Sequence, residues 1–162
     1  MNPPKVLIIG SKGTLGQEFL RVYADVSPIA WDREEIDITD KNAVENRLAE
    51  LQPDIVINCA AYNAVDKAEQ DPELADAING YGPGNIAAAC RKIGAVMVHY
   101  STNYVFDGSR EGGYNEEDEA KPLSKYGESK LLGEKAVMAA SNLAYVIRTS
   151  MLYGLTGNGK KS

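Results

Sequence analysis

The 162-residue sequence has only two cysteines, one histidine, one tryptophan and two phenylalanines, and it carries less base than acid. Each scarcity removes a class of protein. Cys59 and Cys90 stand in apolar or helical surroundings without paired spacing, which excludes a disulfide framework and suits a reducing cytoplasm. A zinc site would have to gather both cysteines, His99 and a carboxylate from four distant segments, so no metal is expected. Seventeen Lys and Arg against 23 Asp and Glu leave a formal charge of −6. No basic run is long enough to follow a phosphate backbone, so nucleic acid is not an expected partner. No apolar stretch reaches the ~20 residues of a membrane span. Met1-Asn2-Pro3-Pro4-Lys5 runs straight into an apolar tetrad without a leader's long apolar segment. A cytoplasmic protein with no membrane attachment is the expectation.

What is present suffices for one domain over residues 1–162. With 44% hydrophobic and 25% charged residues, a chain of this size buries roughly 70% of its unfolded surface and needs no disulfide or metal staple. Val6-Leu7-Ile8-Ile9 is a short apolar run ended by glycine, and residues 15–23 repeat apolar side chains at helical spacing. Strands at 28–31, 55–58, 95–100 and 144–149 alternate with helices at 40–51, from Asp71 towards Lys92, and at 124–140. Asp71-Pro72 reads as an N-cap and first helical residue, with Gly94 just past the end. Gly80, Gly82, Pro83 and Gly84 are poor helix interiors, so a kink or two half-helices is expected there. Residues 107–121, polar and acidic, read as a solvated loop. The alternation predicts an α/β fold, a doubly wound, Rossmann-like parallel sheet of five strands in the order 3-2-1-4-5.

Gly10-Ser11-Lys12-Gly13-Thr14-Leu15-Gly16 lies between a buried strand and a helix. Glycines there let the backbone turn tightly and approach a pyrophosphate, whose charge meets free N–H groups at the helix N-terminus. A close-packed turn without ligand is the competing reading. Asp32 follows the second strand at the spacing where a carboxylate accepts from an adenosine ribose, and its neighbour Arg33 could meet a 2′-phosphate, so NADH and NADPH both stay open. Tyr126 and Lys130, four apart on a helix, share one face. An adjacent cation favours phenolate, so Lys130 is expected to lower the Tyr126 pKa from about 10 and make it a general acid or base. An amphipathic surface helix is the bland alternative. Thr102, at the carboxyl end of the fourth strand, can hydrogen-bond a carbonyl, or simply cap the strand end.

Five strings carry a resemblance beyond these motifs: the glycine loop, Asn58-Cys59-Ala60-Ala61-Tyr62, Val65-Asp66-Lys67-Ala68-Glu69, Ser101-Thr102-Asn103-Tyr104-Val105-Phe106-Asp107-Gly108, and Tyr126-Gly127-Glu128-Ser129-Lys130-Leu131-x-Gly133-Glu134. Arg148-Thr149-Ser150-x-x-Tyr153-Gly154 continues it. On these the chain resembles the extended short-chain dehydrogenase/reductases, and within them the dTDP-4-dehydrorhamnose reductase family. The resemblance implies reduction of the 4-keto group of dTDP-4-dehydro-L-rhamnose by NADPH or NADH, in the last step towards dTDP-L-rhamnose. It implies that Tyr126 protonates the new alkoxide, Lys130 holds the nicotinamide ribose, and Thr102 polarises the carbonyl. Gly10, Gly13, Thr14, Leu15 and Gly16 would cradle the pyrophosphate. Asp32 and Arg33 would take the adenosine ribose, Asp37 and Ile38 the adenine, and Ala60, Ala61 and Tyr62 the nicotinamide side.

Two departures stand out. Asn103 replaces an aspartate usual in the family, removing a charge beside the site but no member of the triad. The family also runs to nearly twice this length, and the tail from Gly157 to Lys161 resembles its chain cut in mid-loop, without the lobe that grips the sugar. A non-catalytic nucleotide-binding regulatory subunit, as in the methionine adenosyltransferase β subunit, and another nucleotide-sugar epimerase or dehydratase are the alternative functions. The fifth strand is expected to be an open edge, favouring a homodimer or other association.

Overall fold

The computed structural model describes residues 3–153. Its centre is a parallel sheet of five strands: β1 (Val6–Ile9), β2 (Ile29–Trp31), β3 (Ile55–Asn58), β4 (Val96–Thr102) and β5 (Ala144–Thr149). The four residues of β1 are all buried, as expected of an apolar run with layers on both faces. Helix α1 (Thr14–Val22) lies on one face, where Phe19 and Leu20 pack on Val6, Ile8 and Ile57. Helices α2 (Lys41–Leu51), α5 (Gly82–Ile93) and α6 (Lys125–Ala140) lie on the other. Val44, Leu48, Ile86, Ala87 and Val137 meet Leu7, Ile9, Val56 and Met97 there in the main core.

The strand order is β2-β1-β3-β4-β5; the expected 3-2-1-4-5 is wrong. A right-handed crossover from β2 carries α2 over β1 and sets β3 on its far side, Leu7 opposite Val56. That route buries the Val44 and Leu48 face of α2 in one core with Leu7 and Ile9 of β1 and Val56 of β3. The reversal of winding, and so the crevice for ligands, still falls beside β1.

Asp71 caps the next helix, its carboxylate accepting from the Leu74 N–H. One continuous helical path then runs as α4 (Pro72–Ala75), a π-helical stretch (Asp76–Tyr81) and α5. Where a kink or two half-helices was expected the winding changes, from the π-helical stretch, which ends at Tyr81, to α5, which opens on Gly82-Pro83-Gly84. The short α3 (Val65–Ala68), after β3, was not anticipated. The tail from Gly157 to Lys161 lies outside the described residues.

Candidate active site

All five strands point their carboxyl ends to one edge of the sheet, and the sequence-predicted residues gather along it. Gly10 ends β1 with φ +79°, and a Cβ there would lie 2.5 Å from the Ala60 nitrogen. Only glycine lets the loop after β1 touch the loop after β3. Gly13 precedes α1, and a Cβ on Gly16 would lie 2.3 Å from the Gly10 carbonyl. The loop is thus folded flat on the first turn of α1, where Thr14 and Leu15 present N–H groups that have no partner within the helix. Asp32 reaches this loop: its carboxylate accepts from the Lys12 N–H at 2.9 Å and the Arg33 N–H at 2.9 Å. Arg33 makes no side-chain hydrogen bond or ion pair among the described residues, whereas Lys12 pairs with Glu34.

Asp37 is exposed and accepts from both the hydroxyl and the N–H of Thr39, which lower its pKa. Ile38 instead points into the core against Gly82, and its carbonyl accepts from Asn85. Ala60, Ala61 and Tyr62 are half-buried in the loop after β3.

Thr102 ends β4, Tyr126 and Lys130 project from the first half of α6, and all three are buried. Ser124 caps α6 through the Gly127 N–H. Gly127 lets the helix close on the Tyr104 carbonyl, 2.4 Å from where its Cβ would be. The Thr102 hydroxyl accepts from the Tyr104 N–H at 3.2 Å, so it is a cap, and it donates to the Asn103 side-chain oxygen at 3.4 Å. The expected depression of the Tyr126 pKa by Lys130 is not found. Burial raises it, and the Thr102 hydroxyl draws it back down. The Lys130 ammonium turns beneath β4 instead and donates to the Tyr100 carbonyl at 2.6 Å. Burial brings its own pKa down to about 8, against the pull of Glu134.

Three residues the sequence reading left without a role complete the setting. Asn79, on the π-helical stretch, is buried: its side-chain Oδ1 accepts from the Tyr62 N–H, and its side-chain Nδ2 donates to the Tyr62 carbonyl and the Ser129 hydroxyl. Ser129 in turn donates to the Tyr126 carbonyl. Asn79 therefore ties the loop after β3 to the turn between Tyr126 and Lys130. A polar residue before Gly80-x-Gly82-Pro83-Gly84 was the available signal. His99 is buried, its Nδ1 facing the Asn58 amide, and desolvation holds it neutral. Glu134 receives Arg148 in a two-pronged ion pair.

The 107–121 loop is largely exposed, as expected, but anchored: Tyr114 stacks on Phe106 at 4.2 Å and donates to Asp107, holding that carboxyl at about 2. A cavity of about 410 Å³, lined by Asn103, Tyr104, Phe106, Leu123 and Ser124, opens between this loop and α6. Tyr104 is set edge-on to Tyr126, 5.5 Å between centroids.

The family model described as "RmlD substrate binding domain" matches residues 4–161. The chain belongs to this family. It is 43% identical over 157 residues to a dTDP-4-dehydrorhamnose reductase from Streptomyces griseus, covering 95% of this chain and 52% of the relative. A dTDP-4-dehydrorhamnose reductase from Bacillus anthracis, solved in complex with NADP, superposes with a TM-score of 0.92 at 39% identity, over 96% of this chain and 57% of that one. An ortholog from Clostridium acetobutylicum gives 0.92 at 44% identity, over 96% and 56%. This member of the RmlD family spans about half the length of the curated relatives it matches. Among the described residues no helix is long and apolar enough to cross a membrane.

Proposed function

We propose that the chain is the dinucleotide-binding half, residues 1–162 as one domain, of a cytoplasmic dTDP-4-dehydrorhamnose reductase. The observation that carries this is the convergence of Thr102, Tyr126 and Lys130 at the sheet edge that also holds the Gly10–Ala60 contact, in a chain 43% identical to a reductase of that name. The cradle fits a dinucleotide: added Cβ atoms at Gly10 and Gly16 would fill it, and the α1 N–H groups open onto it. Gly10, Gly13, Thr14, Leu15 and Gly16 line the pyrophosphate position, and Ala60, Ala61 and Tyr62 the nicotinamide side. Asp37 and the backbone of Ile38 flank the adenine.

NADPH is the proposed preference over NADH. Both oxygens of Asp32 are engaged by backbone N–H groups, and Arg33 has no ion-pair partner among the described residues, so the edge is better suited to a 2′-phosphate than to a free hydroxyl pair.

When bound, the reduced nicotinamide supplies a hydride to the sugar ketone. Thr102 would donate its hydroxyl proton towards the carbonyl oxygen, Tyr126 would deliver its phenolic proton to the developing alkoxide, and Lys130 would hold the ribose. The raised pKa of Tyr126 keeps the phenol protonated at neutral pH, which suits an acid. The cavity beside Tyr104 and Ser124 is the entrance proposed for the dTDP-sugar. β5 is one of the two outer strands and exposes Tyr145 and Ile147, the surface proposed for self-association of this chain. Joined to the second half found in its relatives, the protein is expected to oxidise NADPH stoichiometrically with the 4-keto sugar. Absence of net NADPH consumption would exclude a reductase and leave an epimerase or a non-catalytic subunit.

A further inference from the structure

Lys130 sits in surroundings that disfavour a charge. Only 2% of it is exposed. Its ammonium has three protons and one acceptor among the described residues, the Tyr100 carbonyl. The titratable groups that bear on it are Glu134 on α6, Cys59 after β3 and His99 on β4; Tyr126 lies one turn before it on α6, and Arg148 on β5 pairs with Glu134. Burial pushes the Cys59 thiol up to about 12 and the Tyr126 phenol up as well, so both are uncharged at neutral pH. His99 is held neutral by burial. Among the described residues Glu134 is the one carboxylate whose charge bears on the ammonium.

Its placement is fixed from two sides. One helical turn after Lys130, Glu134 lies on the same buried face of α6, 6% exposed. From β5, Arg148 closes on it with Nε to Oε1 at 2.9 Å and Nη2 to Oε2 at 2.6 Å, so the carboxylate cannot rotate away. Arg148 is itself laid over the Phe106 ring at 4.8 Å, and Phe106 is stacked on Tyr114 of the 107–121 loop. Arg148 stands opposite Ser101 in the β4–β5 register, one residue beyond the carbonyl that Lys130 holds.

We propose that Glu134 is a positioning residue of the reductase, acting through Lys130 by keeping its ammonium charged, with Arg148 locking the carboxylate in place. The inference rests on the role proposed above for Lys130. A merely structural Glu134–Arg148 pair would pin α6 to β5 and nothing more, and the two roles differ in what happens to the lysine.

The experiment follows the ¹³Cε signal of Lys130 through a pH titration of the 162-residue chain labelled only at lysine, assigned by its disappearance in Lys130→Arg. In the wild type the midpoint is expected near 8. Glu134→Gln, of equal shape, should lower it by about one unit or more, a tenfold change in the protonation equilibrium. Glu134→Asp should recover most of that shift. Arg148→Gln, which breaks the same ion pair but leaves the anion, should not lower it. The proposal is overturned by an unchanged midpoint in Glu134→Gln, or by equal downward shifts in Glu134→Gln and Arg148→Gln. Should Glu134→Gln unfold, Glu134→Met combined with Arg148→Met, set against Arg148→Met alone, decides: a lower midpoint in the double variant supports the proposal, and no difference between the two overturns it. Because this reads a proton and not turnover, it is separate from the reductase reading, which fails if the unsubstituted chain binds no NADPH.

Discussion

Lys130 and Tyr126 show how burial, more than proximity, sets protonation at this site. An ammonium with a folded-state pKa of about 8 against an ordinary 10.5 costs stability at every pH below 8, where both states carry the proton but only the unfolded one solvates it. The penalty fades between pH 8 and 10.5 and is gone above, once both states are neutral. Lys130→Met is therefore expected to be more stable than the wild type at pH 7 by about 2–3 kcal/mol, an upper bound because the Tyr100 hydrogen bond is lost. That advantage should vanish by pH 10.5, as urea unfolding at the two pH values will show. Tyr126→Phe in a protein with the second half should lower kcat by roughly 10²–10⁴ with little change in KM for the sugar, read by NADPH oxidation. Unchanged turnover would remove Tyr126 from the chemistry. Gly10→Ala forces a Cβ onto the Ala60 backbone at a φ of +79°, and should cost about 1–3 kcal/mol and abolish dinucleotide binding.

At the scale of elements, the contact between α6 and the π-helical stretch holds the two halves of the site together. A Cβ on Gly133 would lie 2.0 Å from the Asn79 carbonyl. Gly133→Ala must therefore part the two helices and loosen the Asn79 links to Tyr62 and Ser129. The expected result is a fall in Tm of several degrees, with weaker NADPH binding. Most elements were legible in the sequence because their signals are local: the all-buried β1 as an apolar tetrad, Asp71 as a cap, Gly94 as a left-handed end at φ +76°. The strand order was not legible. It depends on which side of β1 the crossover from β2 lands, and α2 carries the same Val44 and Leu48 face either way. Asn79, Glu134 and the direction of the Lys130 ammonium were illegible for a related reason. Their partners lie 17, 14 and 30 residues away in sequence, and no local pattern encodes them.

For the whole molecule, one face of the sheet is fully layered and the other only in part. α1 covers β1 and its neighbours, while Tyr145 and Ile147 on the outer strand β5 remain exposed. Such an apolar edge favours association. Tyr145→Lys with Ile147→Lys should shift the chain towards monomer in light scattering at high concentration, and a wild type that is already monomeric would refute the surface. This chain, by itself, is expected to build a dinucleotide site at the carboxyl edge of β1 and β3. Trp31 ends β2 one residue before Asp32, packed in the core beneath Arg47, and reports on that edge. The decisive measurement is a titration of the chain with NADPH and with NADH, following Trp31 emission, with Gly10→Ala as the control. Saturable quenching, tighter for NADPH and absent in the control, is the predicted result; a folded chain whose emission responds to neither nucleotide would contradict the account.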